Sequence, residues 1–189
     1  MQRAHAVGAL LPFFPEEMKK KKILFIMHLP PPVHGASMMS EQIRSSAAIH
    51  DEFDCRYVNL SASRTATEVS RYGLLQVIRK TCRFLGSYLK TLRHLLFFRP
   101  QVCYLTITCY GIPFLKDAPF VLLCKLFGCS IILHQHNKGM ASCAHKPLYR
   151  TLLPLVYRNA TVILLSWSLY DDIATVVRRE QVRICPNGL

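Results

Sequence analysis

Two histidines at i, i+2 spacing, His134 and His136, lead into Asn137, Lys138 and Gly139, a segment unusually rich in groups that exchange protons or hydrogen bonds near neutral pH. On an extended backbone those positions point the same way, so both imidazoles are expected on one side, with His136 the one reaching into a cleft. Asn137 and Lys138 add donors for a hydroxyl or a phosphate. A second candidate is the run His34-Gly35-Ala36-Ser37. Without a Cβ, Gly35 lets backbone N–H groups approach a phosphate at the positive end of a helix, with His34 and Ser37 as further donors. The alternatives are a plain turn glycine and histidines satisfied inside the structure.

Other chemistry finds less support. His134, His136, Cys143 and His145 offer metal-ligating atoms, but their spacing matches no structural zinc pattern, and no metal is expected. Asp171 and Asp172 invite an acid/base reading that helix capping explains better. The glycine spacings of triphosphate-binding loops and of dinucleotide-binding turns are missing. The formal charge of +13 over 189 residues calls for an anionic partner. Nucleic acid is not expected, since the basic residues border apolar runs with no recognition motif. Eight cysteines, mostly inside apolar runs and never as C-x-x-C, read as reduced thiols of a cytoplasmic protein. Lys or Arg interrupts every stretch long enough to cross a membrane.

The elements that must position these groups alternate. Residues 1–18 read as an irregular, disordered extension, with Met18 a candidate start, and 19–189 as one domain. Strands are predicted at Ile23–His28, Cys55–Leu60, Val102–Thr108, Ser130–His134, Thr161–Leu165 and Val182–Cys185. Helices are predicted at Ser37–Ile49, Arg71–Arg99, Phe120–Phe127, Leu148–Tyr157 and Ser168–Arg179, with Ser168 and Asp171 as a capping pair. A Ser/Thr-rich loop covers Ser61–Ser70, and Pro186-Asn187-Gly188 signals a turn. The class predicted is α/β, a doubly wound, mostly parallel sheet whose ligands sit beyond the carboxyl ends of the strands.

On K-K-I-L-F-I-M-H with P-P-P-V-H-G-A-S, I-I-L-H-Q-H-N-K-G, V-I-L-L-S-W-S-L-Y-D-D-I and V-R-I-C-P-N-G-L, in that order, the chain resembles the Rossmann-like N-terminal lobe of family 4 retaining glycosyltransferases of the GT-B fold. The resemblance covers Lys19 to Leu189. It implies transfer of a sugar from a nucleotide-sugar donor to a lipid-linked or polysaccharide acceptor, without a bound metal. His136 would orient the reacting hydroxyl or sugar, His134, Asn137 and Lys138 would line the acceptor side, and the Gly35 loop with His34 and Ser37 would flank the diphosphate. Donor contacts in that family lie largely in a second lobe beginning after P-N-G, so these 189 residues alone are expected to transfer no sugar. The rival reading is a non-catalytic basic module that binds an anionic surface or a protein.

The predicted Arg71–Arg99 helix, with room for a kink at Gly86, carries seven Lys or Arg residues and no acid. Its Leu74, Ile78, Leu85, Leu89, Leu92 and Leu96 stripe is expected to pack on the sheet. Arg79, Arg83 and Lys90 would then face an anionic membrane, drawing a peripheral protein to its inner face through charge rather than insertion.

Overall fold

The computed structural model describes residues 20–31, 33, 35–61 and 73–186. The predicted extension 1–18, His34, most of the Ser/Thr-rich loop, Arg71 and the Asn187-Gly188 turn lie outside them. Short apolar runs give six strands: β1 Lys21–Met27, β2 Phe53–Asn59, β3 Val102–Ile107, β4 Ser130–Gln135, β5 Ala160–Leu164 and β6 Val182–Ile184. They form one open sheet in the order β2-β1-β3-β4-β5-β6, and every pairing is parallel. This is the predicted α/β class, a Rossmann-like doubly wound sheet. From β1 the chain steps outward to β2, then crosses back over β1 to β3. The carboxyl ends of β1 and β3 therefore flank the reversal of strand order, where such sheets open a crevice.

Alternation along the strands separates two apolar layers. Leu24, Ile26, Val58, Leu105, Leu133 and Val162 face the larger one, closed by Leu95, Phe114, Phe120, Val121, Leu153, Val156 and Ile173. Ile23, Phe25, Met27, Cys55 and Tyr104 face the other, where Ile43 and Ile49 pack. Those isoleucines sit on α1 Gly35–Ser45 and α2 Ala47–Glu52, which replace the single helix predicted over Ser37–Ile49. The break falls at Ser46, in extended backbone, after Ser45 Oγ donates back to the Glu41 carbonyl at 2.9 Å. Such back-bonding competes with continuation of a helix.

Helix α3, Leu74–Arg93, runs unbroken through Gly86, widens to a π-helical turn over His94–Phe98 and stops at Arg99, in left-handed backbone ahead of Pro100. Its predicted orientation is corrected by the structure. Phe84, Tyr88 and Leu95 join the core, whereas Ile78, Leu85 and Leu89 are 50%, 53% and 63% exposed. Phe84 and Tyr88 meet the Phe120 ring edge-on at 5.4 and 5.5 Å, an arrangement favourable between aromatic rings. Thr91, buried on the same side, donates to the Ser87 carbonyl at 2.9 Å and so enters the core satisfied.

Helix α4, Gly111–Leu126, starts a full two turns before the predicted Phe120 and carries Pro119 inside it. Interior proline costs a helix about 3 kcal/mol. Burial of Phe114, Ala118, Phe120, Val121 and Cys124 on this one helix outweighs that. After β4 come the single turn α5 Met140–Cys143 and α6 Pro147–Tyr157. The predicted Ser168–Arg179 helix is reduced to a 3-10 turn and α7 Tyr170–Ile173. The segment Ile173-Ala174-Thr175-Val176-Val177 is mostly β-branched, and Val176 and Val177 both turn back to the Ile173 carbonyl at 2.9 Å.

Candidate functional site at the carboxyl edge of the sheet

Three loops build the crevice side of the sheet. The loop after β1 is tied to its neighbours by Asn59 at the end of β2, whose Oδ1 accepts from the Leu29 and Ser61 amides at 3.1 and 2.8 Å. Ser61 Oγ donates to the Leu29 carbonyl at 2.6 Å. The loop after β3 is held from beneath by Asp117 of α4, whose Oδ2 accepts from the Thr108 amide at 3.1 Å. Asp117 is 7% exposed, and burial raises its carboxyl to about 7 despite that hydrogen bond.

His134 lies near the end of β4 and His136 in the loop that follows. Parallel register sets Thr106 of β3 opposite His134, and Tyr104 two residues earlier on the same face. The Tyr104 hydroxyl and His134 Nδ1 form a short hydrogen bond. His134 is 2% exposed; burial, with the His136 ring beside it, lowers its pKa to about 4, and burial raises that of Tyr104. The imidazole is therefore neutral at neutral pH. His134 Nε2 is a buried atom with no hydrogen-bond partner among the described residues. His136 lies half-buried against it, ring centroids 4.1 Å apart and planes 31° apart, so the two imidazoles do share one side.

Asn137 comes next, its Oδ1 also buried without a hydrogen-bond partner among the described residues. Its backbone is pinned from below. The Asn137 carbonyl accepts from Gln135 Nε2 at 3.0 Å and from Cys109 Sγ at 3.4 Å, while Gln135 Oε1 accepts from the Tyr157 hydroxyl at 2.9 Å. Lys138 is exposed. At Gly139 φ is +137°, and an added Cβ would run into the Tyr110 ring. The Gly139, Met140 and Ala141 amides converge on Asp172, which accepts at 2.8, 2.9 and 3.2 Å. That cluster of amides at the start of α5 could hold an anion, but Asp172 already fills it.

His134, His136 and Asn137 thus come together as the sequence suggests, and Tyr104 joins them. Gly35 and Ser37 open α1 on the β1 side of the reversal. Among the described residues nothing lies within 4 Å of a Cβ added at Gly35, which is exposed; Ser37 is buried. Asp172 does cap a helix, though α5 across the fold rather than its own. Ser168 pairs with Ser166 instead of Asp171, Oγ to Oγ at 2.6 Å. Arg83 and Lys90 line an open cavity of about 430 Å³ with Pro31, Asn59, Ser61, Gly86 and Ser87, while Arg79 is exposed on α3. Among the described residues no three His, Cys, Asp or Glu side chains converge as a metal site.

Tyr104 and Asp117 escape sequence reasoning because each sits in an apolar run that reads as plain core, and Gln135 because the two histidines beside it carry the chemistry. A lone acid in such a run, as at Asp117, is the one signal available. No protein-family model matches the chain, and a search of curated proteins finds no match.

Proposed function

We propose that this chain is the acceptor-binding lobe of a glycosyltransferase that moves a sugar from a nucleotide-sugar donor to a lipid-linked or polysaccharide acceptor with retention. One observation carries the reading. Beside the half-buried His136, a buried ring nitrogen at His134 Nε2 and a buried amide oxygen at Asn137 Oδ1 lack hydrogen-bond partners among the described residues. Leaving such groups unmet costs about 1–3 kcal/mol each. A hydroxyl gives and accepts a hydrogen bond at once, so a polyhydroxylated ligand meets both needs.

In this reading His134, held neutral by burial and oriented by Tyr104, hydrogen-bonds to the acceptor or transferred sugar. His136 positions the reacting hydroxyl, and Asn137 and Lys138 complete the acceptor side. The exposed start of α1 at Gly35, with Ser37 and the neighbouring His34, flanks the donor diphosphate, where the positive end of the helix offsets leaving-group charge without a metal. The test incubates the full gene product with radiolabelled UDP- and GDP-sugars and a lipid and polysaccharide extract. Labelled product is expected, falling at least tenfold in His136→Ala, about 1.4 kcal/mol of transition-state stabilisation, with the circular dichroism spectrum unchanged. No label transfer from any nucleotide sugar would overturn the proposal, and unaltered turnover in His136→Ala would assign that ring to structure.

A further inference from the structure

Helix α3 carries two apolar stripes, and the fold buries only one. Phe84, Tyr88 and Leu95 pack into the core. Ile78, Leu85 and Leu89 fall within about 40° of one another, roughly 110° around the helix from that buried side. They are 50%, 53% and 63% exposed, and Leu75 at 82%, Leu96 at 48% and Phe97 at 80% extend the row to both ends. From Ile78 to Leu96 the row runs about 27 Å. Single exposed leucines need no explanation, whereas a continuous row along one helix marks a surface that meets something.

Charge says what it meets. The helix carries Arg79, Lys80, Arg83, Lys90 and Arg93 and no acid, in a chain of net charge +13. Cations from other elements gather at its far end, where Lys22 Nζ and the Arg56 guanidinium lie 5.2 and 5.0 Å from the centre of the Phe98 ring. Lys20 and Lys21 are exposed nearby on the chain. Pairing with a second copy through this face would set two acid-free basic helices against each other, which like charge opposes. An anionic bilayer satisfies both features, with acyl chains for the leucines and phosphates for the cations. No helix among the described residues is long and apolar enough to cross a membrane, so contact means lying in the interface.

We propose that α3 is a membrane-interface anchor, with Ile78, Leu85, Leu89 and Phe97 entering an anionic bilayer below the headgroups while Lys90 and Arg93 engage lipid phosphates. This reverses the expectation of attraction by charge without insertion. It holds or fails independently of glycosyl transfer.

The chain has one tryptophan, so Trp167→Phe combined with Leu89→Trp places a single reporter on the stripe. On phosphatidylglycerol-containing vesicles its emission should shift to the blue and be quenched by brominated acyl chains, with no shift on phosphatidylcholine alone. Co-sedimentation should fall about tenfold in Leu85→Gln/Leu89→Gln, and by a similar factor in Lys90→Gln/Arg93→Gln or at high salt. A reporter that stays water-exposed on bound protein, or wild-type binding by Leu85→Gln/Leu89→Gln, would overturn insertion. Equal binding to neutral vesicles would overturn the anionic preference. A dimer that Leu85→Gln/Leu89→Gln dissociates, with no vesicle binding by wild type, would give the stripe to a second copy instead.

Discussion

Two polar knots lie within a few residues of each other after β4, and they are finished differently. At Gly139, Met140 and Ala141 three amides meet one carboxylate, and every group in the knot has its partner inside the protein. At Tyr104, His134, His136 and Asn137 the ring is oriented as carefully, yet His134 Nε2 and Asn137 Oδ1 are buried with no hydrogen-bond partner among the described residues. The closed knot holds the fold; the second knot keeps hydrogen-bonding capacity that the described residues do not use, which is why the proposed ligand is placed there. The first should be costly to stability when cut, and the second costly only to binding.

The largest effect is expected from Asp172→Ala, which strips the acceptor from three amides. Urea unfolding should show a loss of about 4 kcal/mol, with Asp172→Asn losing about half of that. A loss below about 1 kcal/mol would place the closed knot with the histidine one.

A pH series should come next in size. His134 has its pKa lowered to about 4 from an ordinary 6.5, so between those values the unfolded chain takes up a proton that the folded one refuses. Stability from this group falls as pH drops through that window. Asp117, raised to about 7 from 3.8, keeps a proton in the folded state that the unfolded chain has released, so its contribution falls as pH rises. Between about pH 4 and 6.5 the two slopes oppose each other. Asp117→Asn removes one of them. Relative to wild type it should gain up to about 3 kcal/mol at pH 8 and lose that advantage toward pH 4.5, measured by urea unfolding at each pH. A pH-independent difference between variant and wild type would mean that Asp117 does not titrate in this range.

The smallest stability change is expected where the histidine knot is replaced by apolar groups of similar size. Tyr104→Phe/His134→Leu removes both partners of the buried hydrogen bond and should shift unfolding by less than about 1 kcal/mol in either direction. On the proposed function, sugar transfer by the full gene product should be lost with the same double substitution. A stability loss like that of Asp172→Ala would make the histidine knot structural and erase the contrast.

Much of the architecture is legible in the residues. Each of the six strands is an apolar or β-branched run bounded by Pro, Gly or polar residues, and each forms within a few positions of where those runs place it. The start of α4 is not legible, since the apolar run predicted at Phe120–Phe127 is only the second half of a helix that begins at Gly111 and carries Pro119 inside it. The β-branched tail of α7 misleads the other way, since a capping pattern in front of it cannot hold a helix that its own residues disfavour. The i, i+2 spacing of His134 and His136 does place both rings on one side.

By itself the sequence determined the alternation of strands and helices, the all-basic character of α3 and the positions of the two histidines, because periodicity, charge and spacing are properties of the local chain. Only the tertiary structure decided which partners these meet. Parallel register sets Tyr104 against His134, and Asp172 reaches the start of α5 more than thirty positions back along the chain. On α3 two stripes of comparable apolarity competed for one sheet. The aromatic stripe is the one that packs, with Phe84 and Tyr88 edge-on to the Phe120 ring, and the leucines face outward.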